Sequence, residues 1–94
     1  MPLLLRAAHT HLYPGARLRG PAALRAGRRL TIEFSDLGVT AARVEAAAGR
    51  QATLAVDAHA TARGTAIAAK RWLIERSEPA DEEGEWRVRR RWSA

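Results

Sequence analysis

The 94-residue sequence contains no cysteine. This absence excludes disulfide frameworks, cysteine-ligated zinc, iron–sulfur clusters and thiol nucleophiles. Aromatic residues make up only 5% of the chain: three tryptophans, one tyrosine and one phenylalanine. Lysine is also nearly absent, because 15 of the 16 basic residues are arginine and only Lys70 is lysine. We expect Trp72 and Trp86 to lie in the core and Trp92 to be partly exposed.

Long hydrophobic runs are missing as well. The run Leu3-Leu4-Leu5 ends at Arg6, far short of the apolar stretch of a signal peptide or a membrane-spanning helix. We therefore expect a cytoplasmic protein with no membrane partner. Alanine supplies 21 residues of the 47% hydrophobic fraction, and Leu, Ile, Val and Phe together number only 18. With so thin a core, self-association into a homo-oligomer is one way to bury enough apolar surface.

The charges are unevenly placed along the chain. The net charge is +6, and five of the ten acidic residues fall within residues 78–85. The rest of the chain carries 16 basic residues against five acidic ones, a net +11. This pattern predicts one domain over 1–94, with a basic body that favours anionic partners and a mobile acidic loop at 77–84. A coding bias toward arginine would give the same excess without selection for arginine chemistry.

Glycine and proline punctuate the chain at intervals that are typical of short strands joined by tight turns. Residues 28–35 and 52–59 alternate between the two strand faces, clearly in the first stretch and less sharply in the second. Residues 3–12 and 86–92 are also extended in character. We therefore predict an all-β fold, a small antiparallel barrel or rolled sheet of five or six short strands.

Two segments fit either a helix or a strand. Residues 40–48 have high helix propensity, yet only a strand places Arg43 and Glu45 on one face. Residues 65–76 scatter their large apolar side chains around a helical axis, whereas a strand groups them. We favour strands, and the alternative is an α+β fold with a helix at 40–48 or 65–76. One short helical turn is expected at 21–26, which begins with proline and is followed by glycine.

The last two predicted strands, 70–76 and 86–92, are expected to pair as a hairpin across the acidic loop. The favoured register avoids two like-charge contacts and gains an ion pair and two cation–π pairs. Its pairs are Ile74 with Val88, Glu75 with Arg87, Trp72 with Arg90, and Lys70 with Trp92.

An arginine-rich run in the last predicted strand is the strongest local feature. Its alternate arginines would form a row about 6.5–7 Å apart on one face, a spacing that resembles successive phosphates of a nucleic-acid strand, beside a tryptophan that can stack on a base. Two adjacent arginines upstream form a second basic cluster. The candidate anion-binding and nucleic-acid-binding residues are Arg87, Arg89, Arg91, Trp92, Arg28 and Arg29. The alternative interpretation is a solvated strand face, or an edge whose charge prevents aggregation.

The sequence gives little support to a catalytic site or a metal site. No serine lies in a nucleophile elbow, and no glycine-rich loop continues into the Lys-Ser/Thr of a phosphate-binding loop. His9 and His11 would share a strand face that His59 could join, but no carboxylate precedes Glu33 to complete a typical site. We therefore expect no enzyme, no cofactor, no metal and no small-molecule substrate.

These observations predict a non-enzymatic interaction module. Its partner would be another protein or a second copy of the chain, as the subunit of a homo-oligomer or larger assembly. The alternative is a protein that binds nucleic acid or another polyanion through an arginine-rich strand face. A steep loss of affinity with salt distinguishes the second function from the first.

Overall fold

A computed structural model describes residues 3–7, 14–35, 38–60, 64–77 and 83–93. Alternating side chains and glycine turns form strands throughout these ranges, and no helix occurs in them. The strands are β1 (Leu3–Ala7), β2 (Arg17–Pro21), β3 (Arg29–Phe34), β4 (Gly38–Ala48), β5 (Gln51–Val56), β6 (His59–Ala60), β7 (Ala66–Ile67), β8 (Lys70–Arg76) and β9 (Glu83–Ser93).

Seven of these strands close into a barrel in the order β1-β2-β9-β8-β5-β4-β3, while β6 and β7 pair as a separate two-stranded sheet. Neighbouring barrel strands are antiparallel except β1 and β3, which pair in parallel. Closure leaves these seven strands without a free edge for pairing with another chain. The all-β prediction is confirmed, but the barrel has seven strands rather than five or six, and it is not wholly antiparallel as predicted, because β1 and β3 pair in parallel.

The barrel interior is filled by the apolar side of each strand. Among the described residues, 18 hydrophobic side chains are buried. As predicted, they include Trp72 and Trp86, whereas Trp92 is only partly buried. The largest fully buried side chains are Leu5, Leu18, Ile32, Leu54, Ile74, Val44 and Val88. One copy of the chain therefore encloses a core by itself. The thin core was the reason to expect a homo-oligomer, and this finding weakens that reason.

The segments that fit either a helix or a strand are strands. Residues 40–48 lie in β4, and residues 65–76 contain β7 and β8, so both helical alternatives are wrong. The alternation predicted for 28–35 is present in β3, and β5 covers most of 52–59 with its apolar positions buried. Period-two patterning outweighs the helix propensity of alanine because each strand buries one side against the barrel core.

The helical turn expected at 21–26 is wrong. Pro21 is the last residue of β2, and the chain then crosses one end of the barrel with Ala22 buried. Two side chains donate hydrogen bonds to backbone carbonyl oxygens that would be acceptors within a helical turn. Trp86 Nε1 donates to the Pro21 oxygen at 3.0 Å, and Arg76 Nη1 donates to the Ala22 oxygen at 2.7 Å. Tertiary contacts thus override the local preference for a helix at this barrel end.

The β8–β9 hairpin follows the predicted register near its turn. Ile74 opposes Val88 and Glu75 opposes Arg87, as the charge pattern predicts. The register then shifts by one residue at a β-bulge, beyond which the predicted pairing no longer holds.

Arg89 is the extra residue in this β9 bulge. Beyond it, Trp72 opposes Arg91 and Lys70 opposes Ser93, each one position past the predicted partner. The two predicted cation–π pairs are therefore wrong. A bulge leaves one residue unpaired and changes which residues share a face.

Several predicted features fall partly or wholly outside the described residues. Of the acidic loop predicted at 77–84, residues 78–82 lie outside them, and residues 83 and 84 belong to β9. His9 and His11 also lie outside the described residues. Across the described ranges, no helix has the length and apolar character needed to cross a bilayer.

Candidate anion-binding surface

The β9 bulge divides the arginine run that the sequence singles out. Alternation would place Arg87, Arg89 and Arg91 on one face, but it is broken at the bulge between Arg87 and Arg91. Arg91 opposes the buried Trp72, whereas Trp92 opposes the partly exposed Arg71 on the outer side of the barrel. The predicted single row of these three arginines is therefore wrong, although its individual members remain on β9.

Two members of that run already have carboxylate partners. Arg89 donates to Glu75 Oε1 from Nε at 2.9 Å and from Nη2 at 2.7 Å. Gln51 Nε2 donates to Glu75 Oε2 at 3.2 Å, and the hydrogen bonds from Arg89 and then Gln51 lower the pKa of Glu75. Arg87 Nη2 lies 3.9 Å from Glu85 Oε1. These contacts make Arg87 and Arg89 less available to an external anion.

Arg29 and Arg43 form an exposed pair with no such partner. Arg29 begins β3 and directly opposes Arg43 on β4. Neither side chain is in an ion pair anywhere in the described part of the chain. Like charges directly opposed across two strands destabilise a sheet. We call Arg29 and Arg43 the arginine pair. The pKa of Glu45 is lowered mainly by its hydrogen bond from Arg71 and also by the charge of Arg43. No carboxylate of the described residues lies within ion-pair distance of the pair, so both guanidinium groups are suited to an external anion.

Other opposed arginines on the barrel differ in this respect. Arg6 opposes Arg19, and Arg6 Nε lies 3.9 Å from Glu33 Oε1. Arg17 opposes Arg87, and Glu85 Oε1 lies 3.5 Å from Arg17 Nε and 3.9 Å from Arg87 Nη2. A carboxylate therefore offsets the repulsion in both of these pairs.

A depression of about 490 Å³ lies beside the arginine pair on the outer face of β3, β4 and β5. Small residues provide its floor, because Thr31 opposes Ala41, and Ala55 opposes Arg43 in the neighbouring row. A volume of this size is within the range of about 300–1,000 Å³ that is common for ligand sites. The arginine pair and Asp57 also line the depression, so cations and a carboxylate share its rim.

Asp57 is held at this rim through its backbone. Its N–H donates to the Ala41 oxygen at 3.0 Å, and its carbonyl oxygen accepts from Thr40 Oγ1 at 3.2 Å. His59 Nδ1 lies 3.0 Å from the same oxygen, and the His59 ring stacks on Phe34 with centroids 5.1 Å apart. The Asp57 carboxylate has no ion pair within the described ranges. It is therefore positioned by the backbone and available to a ligand.

The arginine pair belongs to a longer row across five strands, which we call the basic row. Strand by strand, it consists of Arg29, Arg43, Ala55, Arg71 and Trp92. At about 4.8 Å between neighbouring strands, the row follows the curved barrel surface for about 19 Å. It spans four of the seven strand-to-strand steps, so Arg29 and Trp92 lie on different sides of the barrel. Arg90 lies over the Trp92 ring with its guanidinium carbon 4.9 Å from the ring centroid. The row thus has the arginine pair at one end and a partly exposed indole at the other, while Arg71 between them is held by the carboxylate of Glu45.

Arg28 adds a further exposed guanidinium beside the start of β3. Its backbone N–H donates to the Arg25 oxygen at 3.1 Å, which closes the turn before the strand. Arg25 and Arg28 line a second depression of about 250 Å³ together with Leu3 and Ala23. The structure thus places both Arg28 and Arg29 next to surface depressions, away from the β9 arginines across the barrel.

Sequence reasoning missed Arg43, Asp57 and Arg71 as site residues. Strand alternation does place Arg43 on the polar side of β4, but only the register brings it opposite Arg29. Asp57 follows β5, where the alternating pattern ends. The signal that was available is a charged residue within or directly after an alanine-rich strand, Arg43 in β4 and Asp57 after β5.

No protein-family model matches the chain. No curated protein and no solved structure matches it either.

Proposed function

We propose that this protein binds single-stranded nucleic acid on the outer face of its barrel, along the basic row. The observation that carries the proposal is the directly opposed arginine pair, Arg29 and Arg43, which has no carboxylate partner among the described residues. Guanidinium groups bind phosphate in a bidentate manner. A phosphate seated between the two would offset their mutual repulsion.

The other end of the row favours a single strand over other polyanions. Trp92 is partly exposed beside Arg71, and aromatic side chains next to a basic groove stack with unpaired bases. Heparin-like polymers and anionic lipid headgroups have no such bases. The shallow, small-residue floor beside the arginine pair also leaves room for a base between phosphate contacts.

The surface gives less support to a protein interface, which was the first expectation from the sequence. Among the described residues, Val39 is the one large hydrophobic residue that is exposed, at 62%. Obligate interfaces depend on a contiguous apolar centre. Binding of a protein partner or of a second copy stays a prediction, and it becomes an outcome of the test.

The test measures the affinity for a short labelled single-stranded oligonucleotide by fluorescence anisotropy over a range of salt concentrations. We expect the double variant R29Q/R43Q to bind at least tenfold more weakly than the wild type. Loss of two phosphate contacts should also reduce the slope of log K against log salt by about 1.4, since each contact on a single strand contributes about 0.7.

The matched control is R87Q/R89Q, which removes two arginines that already contact glutamates. We expect a smaller loss of affinity in this variant. Equal losses in the two double variants would overturn the assignment to the basic row. Wild-type protein that binds anionic lipid vesicles or self-associates, yet ignores the oligonucleotide at low salt, would overturn the proposed function itself.

A further inference from the structure

We infer that the depression beside the arginine pair takes a guanine base of the bound strand, whose Watson–Crick edge is recognised by the Asp57 carboxylate. This inference rests on the proposed function and deepens it. It concerns which base the site prefers, whereas the basic row concerns attraction to the phosphate backbone.

A carboxylate at a phosphate-binding surface requires an explanation. Asp57 is the one acidic residue among the described residues that line the depression, and Arg29 and Arg43 line the same depression. An ionised carboxylate only accepts hydrogen bonds, and it repels phosphate. It therefore suits a part of the ligand that carries N–H donors, at a short distance from the phosphate that the arginine pair would hold.

The spacing of these groups suits one nucleotide. Asp57 is two residues from Ala55 along the chain, and Ala55 opposes Arg43, so Asp57 lies diagonally across from Arg43 at about 7–8 Å between Cα atoms. Ala41 and Ala55 occupy the positions between them, so methyl groups form this part of the floor. A planar base can lie on these methyl groups with its edge toward Asp57.

Guanine complements a carboxylate better than the other bases do. Its Watson–Crick edge presents two adjacent donors, the ring N1–H and the exocyclic amino group, which match the two carboxylate oxygens. Adenine and cytosine present one amino group beside an unprotonated ring nitrogen, and thymine and uracil present one N–H between two carbonyl oxygens. Unpaired bases in single strands are commonly read along this edge.

The anchoring of Asp57 supports a role in recognition. Its backbone is fixed by Ala41, Thr40 and the His59 ring that stacks on Phe34. The carboxylate takes part in none of these contacts, so replacing it with an amide leaves them in place. A carboxylate on a fixed backbone loses little conformational freedom when it binds a ligand.

The experiment compares thymine oligonucleotides that carry one central guanine, adenine or cytosine. The guanine oligonucleotide should bind wild-type protein about tenfold more tightly than the adenine and cytosine ones, since a bidentate base contact discriminates by about 1–3 kcal/mol. In D57N, the three oligonucleotides should bind within about twofold of one another. The salt slope should remain that of the wild type, because the arginine pair is intact.

The matched control is E33Q, which removes an exposed carboxylate of β3 that does not line the depression. E33Q should keep the guanine preference. Thermal unfolding of D57N and E33Q tests whether both variants are folded. Equal binding of the three oligonucleotides by the wild type, or a preference that survives D57N, would overturn this inference and leave the proposed function standing. Failure of every oligonucleotide to bind would instead overturn the proposed function.

Discussion

Arg71 on β8 donates two hydrogen bonds to the carboxylate of Glu45 on β4, from Nε at 2.6 Å and from Nη2 at 3.3 Å. β5 separates the two strands in the barrel. The contact is possible because Glu45 sits at a bulge, where the register shifts between Val44 and Ala46.

The bulge in β9 has a similar effect, because its extra residue, Arg89, forms an ion pair with Glu75 on β8. Each bulge thus turns one charged residue outward into an ion pair with β8.

The Arg71–Glu45 contact makes stability depend on pH in one direction. The Arg71 hydrogen bonds lower the pKa of Glu45 from its ordinary 4.5, and the same contact raises the pKa of Arg71. A carboxyl whose pKa is lowered on folding contributes stability above its unfolded-state pKa, and this contribution is lost as the pH falls through the folded-state value. Wild type should therefore be more stable than E45Q at pH 7, and the gap should close in acid.

Urea denaturation of both proteins at pH 7, 5 and 3 measures this gap. The control is E33Q, because Glu33 Oε1 lies 3.9 Å from Arg6 Nε at an exposed site. That substitution should change the free energy of unfolding little at any pH. A gap between wild type and E45Q that widens toward pH 3 would contradict the assignment.

The crossing that follows β2 should depend on the Trp86 indole. The ring is buried, and its N–H supplies the hydrogen bond to the Pro21 oxygen at 3.0 Å. W86F keeps an aromatic ring but leaves that carbonyl without its donor. We expect the free energy of unfolding to fall by about 1–3 kcal/mol from this loss, with a further cost for the smaller ring.

The control for this prediction is W92F, which shortens a partly exposed indole of β9. Its cost should be clearly smaller in the same denaturation experiment. Equal costs for the two substitutions would contradict the role assigned to the Trp86 hydrogen bond to Pro21.

Close contact between β1 and β2 requires glycine at position 20. A Cβ built on Gly20 would overlap the Leu5 side chain and lie 2.8 Å from the Leu4 carbonyl oxygen. G20A should therefore lower the free energy of unfolding by about 1–3 kcal/mol, the usual cost of overpacking. G84A is the matched control, because the nearest atoms to its Cβ are 3.4 Å away. Thermal unfolding that ranks G84A as the more damaging substitution would contradict this packing.

Much of the fold follows from the sequence, because one side of each strand must be buried. Leu30, Ile32 and Phe34 alternate along β3 and are buried as predicted. Strand number is harder to predict, since the β1–β3 closure depends on a contact between segments that are distant in the chain. The strands β6 and β7 have two residues each, too few to show an alternating pattern.

The bulge in β9 could not be predicted from the sequence. Because residues 89–91 are all arginine, a shift of one residue in the strand register within this run leaves the pattern of residue types unchanged. The buried Val88 fixes the register on one side, and Trp72 opposite Arg91 fixes it on the other. The candidate site suffers from the same problem, because Arg29 is prominent in the sequence while its partner Arg43 is identified only by the β3–β4 register.

The arginine pair should reduce stability while it supports binding. Arg29 and Arg43 face each other directly, so R29E replaces a like-charge pair with an ion pair. Opposite charges across two strands are favourable, and like charges are unfavourable, by about 0.2–1 kcal/mol per pair. R29E should therefore raise the free energy of unfolding at low salt by an amount in this range, and should abolish oligonucleotide binding. R89E is the control, because Arg89 Nη2 lies 2.7 Å from Glu75 Oε1 and an acidic residue there adds repulsion. A stability gain in R29E together with lost affinity would show that the opposed arginines reduce stability and serve binding, whereas unchanged affinity in R29E would remove the pair from the binding surface.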